Sequence, residues 1–196
     1  MIEYESEPNQ GLVCEDLLPL QWRGGENEST PLEAMKLNGN NEEVLRYIDI
    51  LDDHVNETNI SEYPPLNPEW AKTEVKFEIL LSLVSQVLSV YFPLPPRVPV
   101  KLSATDVQWI TNDTLPLGSN GLVEIYLSLR YPRPLIFPGK IVRIDELTDG
   151  YRINVQFGDL SATLRDRLEK IIFRHHRRSV AQTRRHPAPE PKFPPT

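Results

Sequence analysis

Asp149–Gly150–Tyr151–Arg152–Ile153–Asn154–Val155–Gln156–Phe157 is the stretch that decides the fold. Tyr151, Ile153, Val155 and Phe157 alternate with Arg152, Asn154 and Gln156. That period of two sends one set of side chains into a core and the other into water. Asp149–Gly150 supplies the left-handed turn residues that hairpins use. The same period appears upstream. Val123, Ile125, Leu127, Leu129 and Tyr131 alternate with Glu124, Tyr126, Ser128 and Arg130, with Asn120–Gly121 as the turn before them. Lys140–Ile144 reads as another strand after the Pro138–Gly139 break, and Val98–Trp109 as one strand or a bent pair. Short antiparallel strands at this spacing predict a small barrel or sandwich. Leu17–Leu18–Pro19–Leu20–Gln21–Trp22 predicts an edge strand, because proline has no N–H to give to a ladder.

Outside the strands the period changes to that of helices. Asn40/Asn41 followed by Glu42–Glu43 reads as a capped helix start with acids in the first turn. Val44, Tyr47, Ile48 and Leu51 then form one amphipathic face. Asn67–Pro68–Glu69 starts a second helix, with proline at the first helical position, running to about Phe92. Ile79, Leu80, Leu81, Leu83, Val84, Val87, Leu88, Val90, Tyr91 and Phe92 cover more than one stripe of it. A helix apolar on most of its circumference needs partners on two sides. The expected partners are the chain's own barrel and a second subunit, with Ile79, Leu80, Leu83, Val84, Val87 and Leu88 as the interface. A last helix starts near Ala162, with Leu164, Leu168, Ile171, Ile172 and His175 on one face. The fold class expected is therefore α+β.

Charge and cysteine content narrow the function classes. The net charge of -7 is unevenly distributed. Residues 1–63 hold about fifteen carboxylates against Arg23, Lys36 and Arg46, whereas residues 165–185 hold about eight Lys and Arg against Asp166 and Glu169. The acidic balance argues against nucleic acid as a partner, as no interleaved basic and aromatic face is present. Cys14 is the only cysteine, which excludes an intrachain disulfide framework and suits a reducing compartment. No basic and apolar leader opens the sequence, and the run Ile79–Phe92 is too short and too polar to span a bilayer. A cytoplasmic protein is expected. The segments 1–16 (acidic, flexible) and 183–196 (Pro-rich, flexible) flank one domain over 17–182, with a helical insertion at about 40–92.

Catalysis needs a nucleophile beside a base, a pair of carboxylates with separated pKa values, or a metal. His54, His175, His176 and His186 lie in no triad or zinc spacing, and neither a GxSxG turn nor a phosphate loop is present. No catalytic residue and no metal site are expected. One constellation of charge stands out: Arg174, Arg177 and Arg178 on the last helix, with Arg184–Arg185 beyond. Guanidinium groups hold phosphates and carboxylates bidentately and stack on aromatic rings.

Lys101–Leu102–Ser103, Gly121 with its alternating strand, and Tyr151–Phe157 together resemble the barrel of a PilZ domain. Leu18–Pro19–Leu20–Gln21–Trp22, Leu37–Asn38 with Asn41–Glu42, and Phe173–Arg174–His175–His176–Arg177–Arg178 resemble more specifically the atypical, oligomer-forming PilZ subfamily. The barrel likeness covers about 97–182 and the subfamily likeness about 17–182. The resemblance implies a six-stranded antiparallel barrel with an inserted long helix and a C-terminal helix, in a bacterial, non-enzymatic signalling protein of cyclic di-GMP pathways. It also implies a homo-oligomer, a tetramer among the expected forms, that docks on an unidentified signalling protein. The family signature pairs an Arg-x-x-x-Arg loop with an Asp/Asn-x-Ser-x-x-Gly strand. Here Lys101–Leu102–Ser103–Ala104–Thr105–Asp106 stands in the second place, and only Ser103 matches. No Arg-x-x-x-Arg precedes the Trp22 strand. No cofactor is expected. Cyclic di-GMP is the regulatory ligand implied, with weak or no binding expected at the signature. Ser103, Lys101, Arg174, Arg177 and Arg178 are the ligand or partner candidates. The alternative is a cyclic di-GMP receptor whose site is rebuilt around the basic C-terminal helix.

Overall fold

The computed structural model describes residues 12–25, 30–60, 68–91, 93–128 and 131–185. Within its helices the side chains of 52–60, 68–71, 74, 88–89 and 178–185 fall outside the description. The order of elements is β1 (Cys14–Gly25), α1 (Pro31–Ile60), α2 (Pro68–Tyr91), β2 (Arg97–Leu102), β3 (Asp106–Thr111), β4 (Asn120–Ile125), β5 (Leu135–Leu147), β6 (Gly150–Phe157) and α3 (Ala162–Arg185). The six antiparallel strands close into a barrel in the order β1-β2-β3-β6-β5-β4. This is the α+β barrel that the alternating stretches predict, and the Val98–Trp109 run is the β2–β3 pair.

β1 is not an edge strand. Its first half pairs with β2, from Cys14↔Leu102 to Pro19↔Arg97, and its second half with β4, from Leu20↔Ile125 to Gly25↔Asn120. Pro19 sits where the strand changes partner. Its missing N–H costs no ladder bond there, and its carbonyl accepts from the Tyr126 N–H at 3.1 Å. A closed barrel leaves no exposed edge to protect. β1 also begins at Cys14, so the acidic segment expected as flexible to residue 16 is strand from there on; residues 1–11 lie outside the described residues.

β4 is shorter than its alternation, ending at Ile125. Tyr126–Ser128 leave the sheet, and Tyr131 packs edge-on against Tyr47 of α1, with ring centroids 5.6 Å apart. Packing under the helix overrides strand propensity there. Asn120–Gly121 is strand rather than turn, and the left-handed residue is Gly118, at φ 81°. Gly121 is required for another reason. A Cβ there would stand 2.4 Å from the Arg23 carbonyl oxygen and 2.6 Å from the Trp22 ring. Gly150 does supply the β5–β6 turn, at φ 131°. Glu124, expected on the wet face, is buried and pairs with Arg23 at 3.1 Å.

The barrel interior is filled by Val107, Trp109, Val123, Ile125, Leu135, Phe137, Ile153 and Val155, with Phe137 stacked on Phe157 at 4.4 Å. α3 adds Leu164, Leu168, Ile171 and Ile172, all buried. It continues to Arg185, so residues 183–185, expected in the tail, are helical; 186–196 lie outside the described residues.

α1 starts at Pro31, well before the asparagine pair. Thr30 and Glu33 form a capping box: the Thr30 N–H donates to the Glu33 carboxylate at 2.9 Å, and the Glu33 N–H to Thr30 Oγ1 at 3.3 Å. These bonds hold the Glu33 carboxyl below its ordinary range. Asn41 is instead a latch, almost fully buried. Its side chain accepts from the Ile136 N–H at 2.9 Å and donates to the Ile136 carbonyl at 2.8 Å. Asn38 donates to the Asp159 carbonyl at 3.2 Å, and Ser161, the N-cap of α3, donates to Glu42 at 2.5 Å. Three polar residues on one face of α1 thus tie it to β5 and to the start of α3. Val44, Leu45 and Ile48 complete the seam.

Candidate functional site

The turn between β2 and β3 carries the signature-like residues, and Ser103 is closed upon itself there. Its hydroxyl donates to the Asp106 carboxylate and accepts from the Thr105 and Asp106 N–H groups at 3.1 and 3.0 Å. A serine hydroxyl has one proton and two lone pairs, so this turn uses its whole capacity. Ser103 is also buried. Asp106, which stands where the family signature has glycine, supplies two of these three bonds, and the Thr105 N–H the third.

Lys101 does not join Ser103. It points outward from β2 and meets Glu15 of β1 at 3.4 Å. Both lie on a shallow, open groove of about 780 Å³ across β1, β2, β3 and β6, which also includes Asp16, Leu17, Pro99 and Arg152. Two carboxylates face two cations there, and Lys101 is partly neutralised by its neighbour. Such a groove has little field for a doubly charged phosphate ligand.

Arg174 and Arg177 of α3 make different contacts. Arg174 turns toward α1 and pairs with Asp49, which also lies 4.0 Å from Arg167. Arg177 is exposed and sits over the Phe173 ring, 5.8 Å from its centroid, with Phe173 itself 47% exposed. Arg178 is on the helix, but its side chain lies outside the described residues. Asp16 of β1 approaches His175, carboxylate oxygen to Nδ1, at 3.9 Å. Asp49 and Arg167 carry no mark in local sequence beyond the seven-residue spacing of Arg167 and Arg174. That spacing, two helical turns, places both on one face, where a single acid can bridge them.

α2 departs furthest from expectation. The barrel was expected to cover one of its sides, and among the described residues no element of the chain packs substantially against it. Ile79, Leu80, Leu83, Val84 and Val87 are all more than half exposed, with Leu83 the least exposed at 51% and Val90 the most at 78%. The side chain of Leu88 is outside the description. Among the described residues the inserted helix does not lie on the barrel.

Among the described residues no group of three His, Cys, Asp or Glu is placed to hold a metal ion. Cys14 is buried, and burial followed by the neighbouring Asp16 and Glu15 charges pushes its thiol up to about 11. Among the described residues no helix is long and apolar enough to cross a membrane.

Comparison with known proteins fits this architecture. A tetrameric PilZ domain from Xanthomonas campestris, self-assembled through a helical bundle, superposes with a TM-score of 0.72 at 22% identity, over 87% of this chain and 91% of that one. YcgR of Escherichia coli in complex with cyclic di-GMP matches 45% of this chain and 39% of its own, at 20% identity and a TM-score of 0.39. The motility inhibitor of Bacillus subtilis matches 42% of both chains at 17% identity and a TM-score of 0.35. A search of curated protein sequences gives no significant match. Residues 45–185 match the family described as atypical PilZ domain, cyclic di-GMP receptor, and by that match, over most of its length, this chain belongs to the atypical PilZ domain family.

Proposed function

We propose that this protein is a non-catalytic, cytoplasmic adaptor of cyclic di-GMP signalling that works as a homo-oligomer, with α2 as its assembly helix and the barrel and α3 presented outward for docking. The bare apolar surface of α2 carries this reading. Soluble proteins rarely leave so large a contiguous apolar surface in water. Burying a Leu or Val side chain contributes roughly 1.5–3 kcal/mol, so several per subunit stabilise an assembly. A tetramer is the expected form, as described for the Xanthomonas campestris protein.

The saturated Ser103 and the balanced charges around Lys101 support weak or absent cyclic di-GMP binding at the signature turn. A dissociation constant near 1 μM corresponds to about 8 kcal/mol, which in this reading the turn lacks the clamps to supply.

Sedimentation of the wild-type chain at micromolar concentration, with cyclic di-GMP titrated by calorimetry, tests both halves. A single tetrameric species without binding heat is the expected result. A monomer overturns the assembly reading. Micromolar binding that Arg177→Gln abolishes replaces the adaptor with a receptor rebuilt on α3.

A further inference from the structure

The barrel has a covered wall and a bare one. α1 packs on β5 and α3 on β1, whereas among the described residues no helix packs substantially on β2, β3 or β6. Two rows of side chains cross the bare wall on its outer face. One row is Leu17, Pro99, Ile110 and Arg152. Leu17 pairs with Pro99 and Ile110 with Arg152, and the neighbouring Val100↔Trp109 pair sets Pro99 beside Ile110. The other row is Glu15, Lys101, Gln108 and Asn154. All but Asn154 line the open groove of about 780 Å³.

The rows differ in chemistry. The first is apolar across three strands and ends on a cation. Leu17 is 59% exposed, so this row offers apolar surface to water. Arg152 has no ion-pair partner among the described residues, because Arg143 takes its cross-strand neighbour Asp145 at 2.8 Å. In the second row Glu15 and Lys101 neutralise each other at 3.4 Å. Asn154 stands two residues from Arg152, on the same face of β6. Its amide oxygen is shielded from water and has no hydrogen-bond partner among the described residues. Unmet buried acceptors are rare, and each marks a place where a donor is missing.

We propose that this wall docks an extended segment of a partner protein, with apolar side chains at two alternate positions and a carboxylate at the third. The inference rests on the adaptor reading and deepens it by naming the docking face. Four strands about 4.8 Å apart put Leu17 and Arg152 about 14 Å from each other, and five extended residues cover that span. Side chains of an extended segment alternate, so its first, third and fifth residues face the wall together. In that register two apolar side chains cover Leu17, Pro99 and Ile110, and the carboxylate meets Arg152 in the two-pronged geometry that guanidinium favours. The main-chain N–H beside the carboxylate is the donor that Asn154 lacks. With Glu15 and Lys101 balanced, Arg152 alone fixes which end of the segment is acidic.

The probe is a blocked nonapeptide of serine and glycine, with photoreactive leucine at its third and fifth positions and glutamate at its seventh, irradiated with the full chain. Mass spectrometry is expected to place its links at Leu17, Pro99 or Ile110. Arg152→Glu should lower the yield about tenfold, and a peptide with lysine in place of its glutamate should restore it. Asn154→Ala should lower the yield about threefold without lowering the melting temperature, because it removes an acceptor that holds nothing in the fold. Links found only outside this wall, or a yield that Arg152→Glu leaves unchanged, overturn the proposal. Sedimentation of the same sample keeps this test apart from the adaptor reading. A tetramer that yields no such links loses the docking face and keeps its assembly. A monomer that yields them loses the assembly and keeps the docking face.

Discussion

The barrel and α2 spend their apolar side chains in opposite ways. In the barrel each inward residue meets others across a closed wall, and Val107, Val123, Ile125, Phe137, Ile153 and Val155 are fully buried. In α2 a comparable supply of Leu, Ile and Val is left facing outward among the described residues. One region completes its core alone; the other leaves its apolar side chains uncovered by the described residues, as the proposed assembly helix would. Under the proposed function the difference separates what folds from what assembles, and each should be open to disturbance without the other.

The largest effect is expected from Leu83→Glu combined with Val87→Glu. Carboxylates at the centre of a buried helix seam carry desolvation penalties in every copy at once. Sedimentation should show monomers, while the near-ultraviolet signal of Trp22 and Trp109, 6.4 Å apart at the barrel end, stays unchanged. A variant that unfolds throughout would instead join the two regions into one cooperative unit.

Phe137→Ala strikes the other region. The side chain is fully buried and stacked on Phe157, so its loss should destabilise the barrel by about 3–5 kcal/mol in denaturant unfolding. Subunits that remain folded should still assemble. Asn41→Ala tests the latch between α1 and the barrel. It leaves the Ile136 N–H and carbonyl without their partner in a closed seam, at a cost of about 1–3 kcal/mol. Hydrogen exchange should speed up in α1 and at Ile136 and leave β3 and β6 protected. The smallest effect is chemical. With its thiol pushed up from 9.0 to about 11, Cys14 carries about a hundredfold less thiolate at neutral pH than an unshifted cysteine. Alkylation by iodoacetamide should be slow in the native protein and become fast only in denaturant.

Strands and helices announced themselves wherever their period was uninterrupted, as in β6, α2 and the start of α3. Pro19 misled, because its tolerance depends on a change of partner between β2 and β4 that no local pattern records. Asn41 misled in the same way. A helix cap and a mid-helix latch use the same residue, and only Ile136, far away in sequence, tells them apart. The candidate site was legible as charge but not as geometry. Arg174, Arg177 and Arg178 read as one cluster, whereas Asp49 on another helix draws Arg174 away. Ser103 read as the surviving signature residue, and its exhaustion by Asp106 became visible only through the turn's hydrogen bonds.

The double pairing of β1 sets an order in time. Its partners are Arg97–Leu102 and Asn120–Ile125, and both helices of the insertion lie between them and β1. As the chain leaves the ribosome, α2 is therefore complete before any strand that can close on β1 exists. The loop to be closed is long, and its entropy must be met before the non-local pairs form. The apolar helix α2 is thus exposed for the whole interval in which the barrel is still open. In the proposed assembly, neighbouring nascent chains would meet through α2 first and seal their barrels afterwards, so that assembly would precede the completion of the subunit.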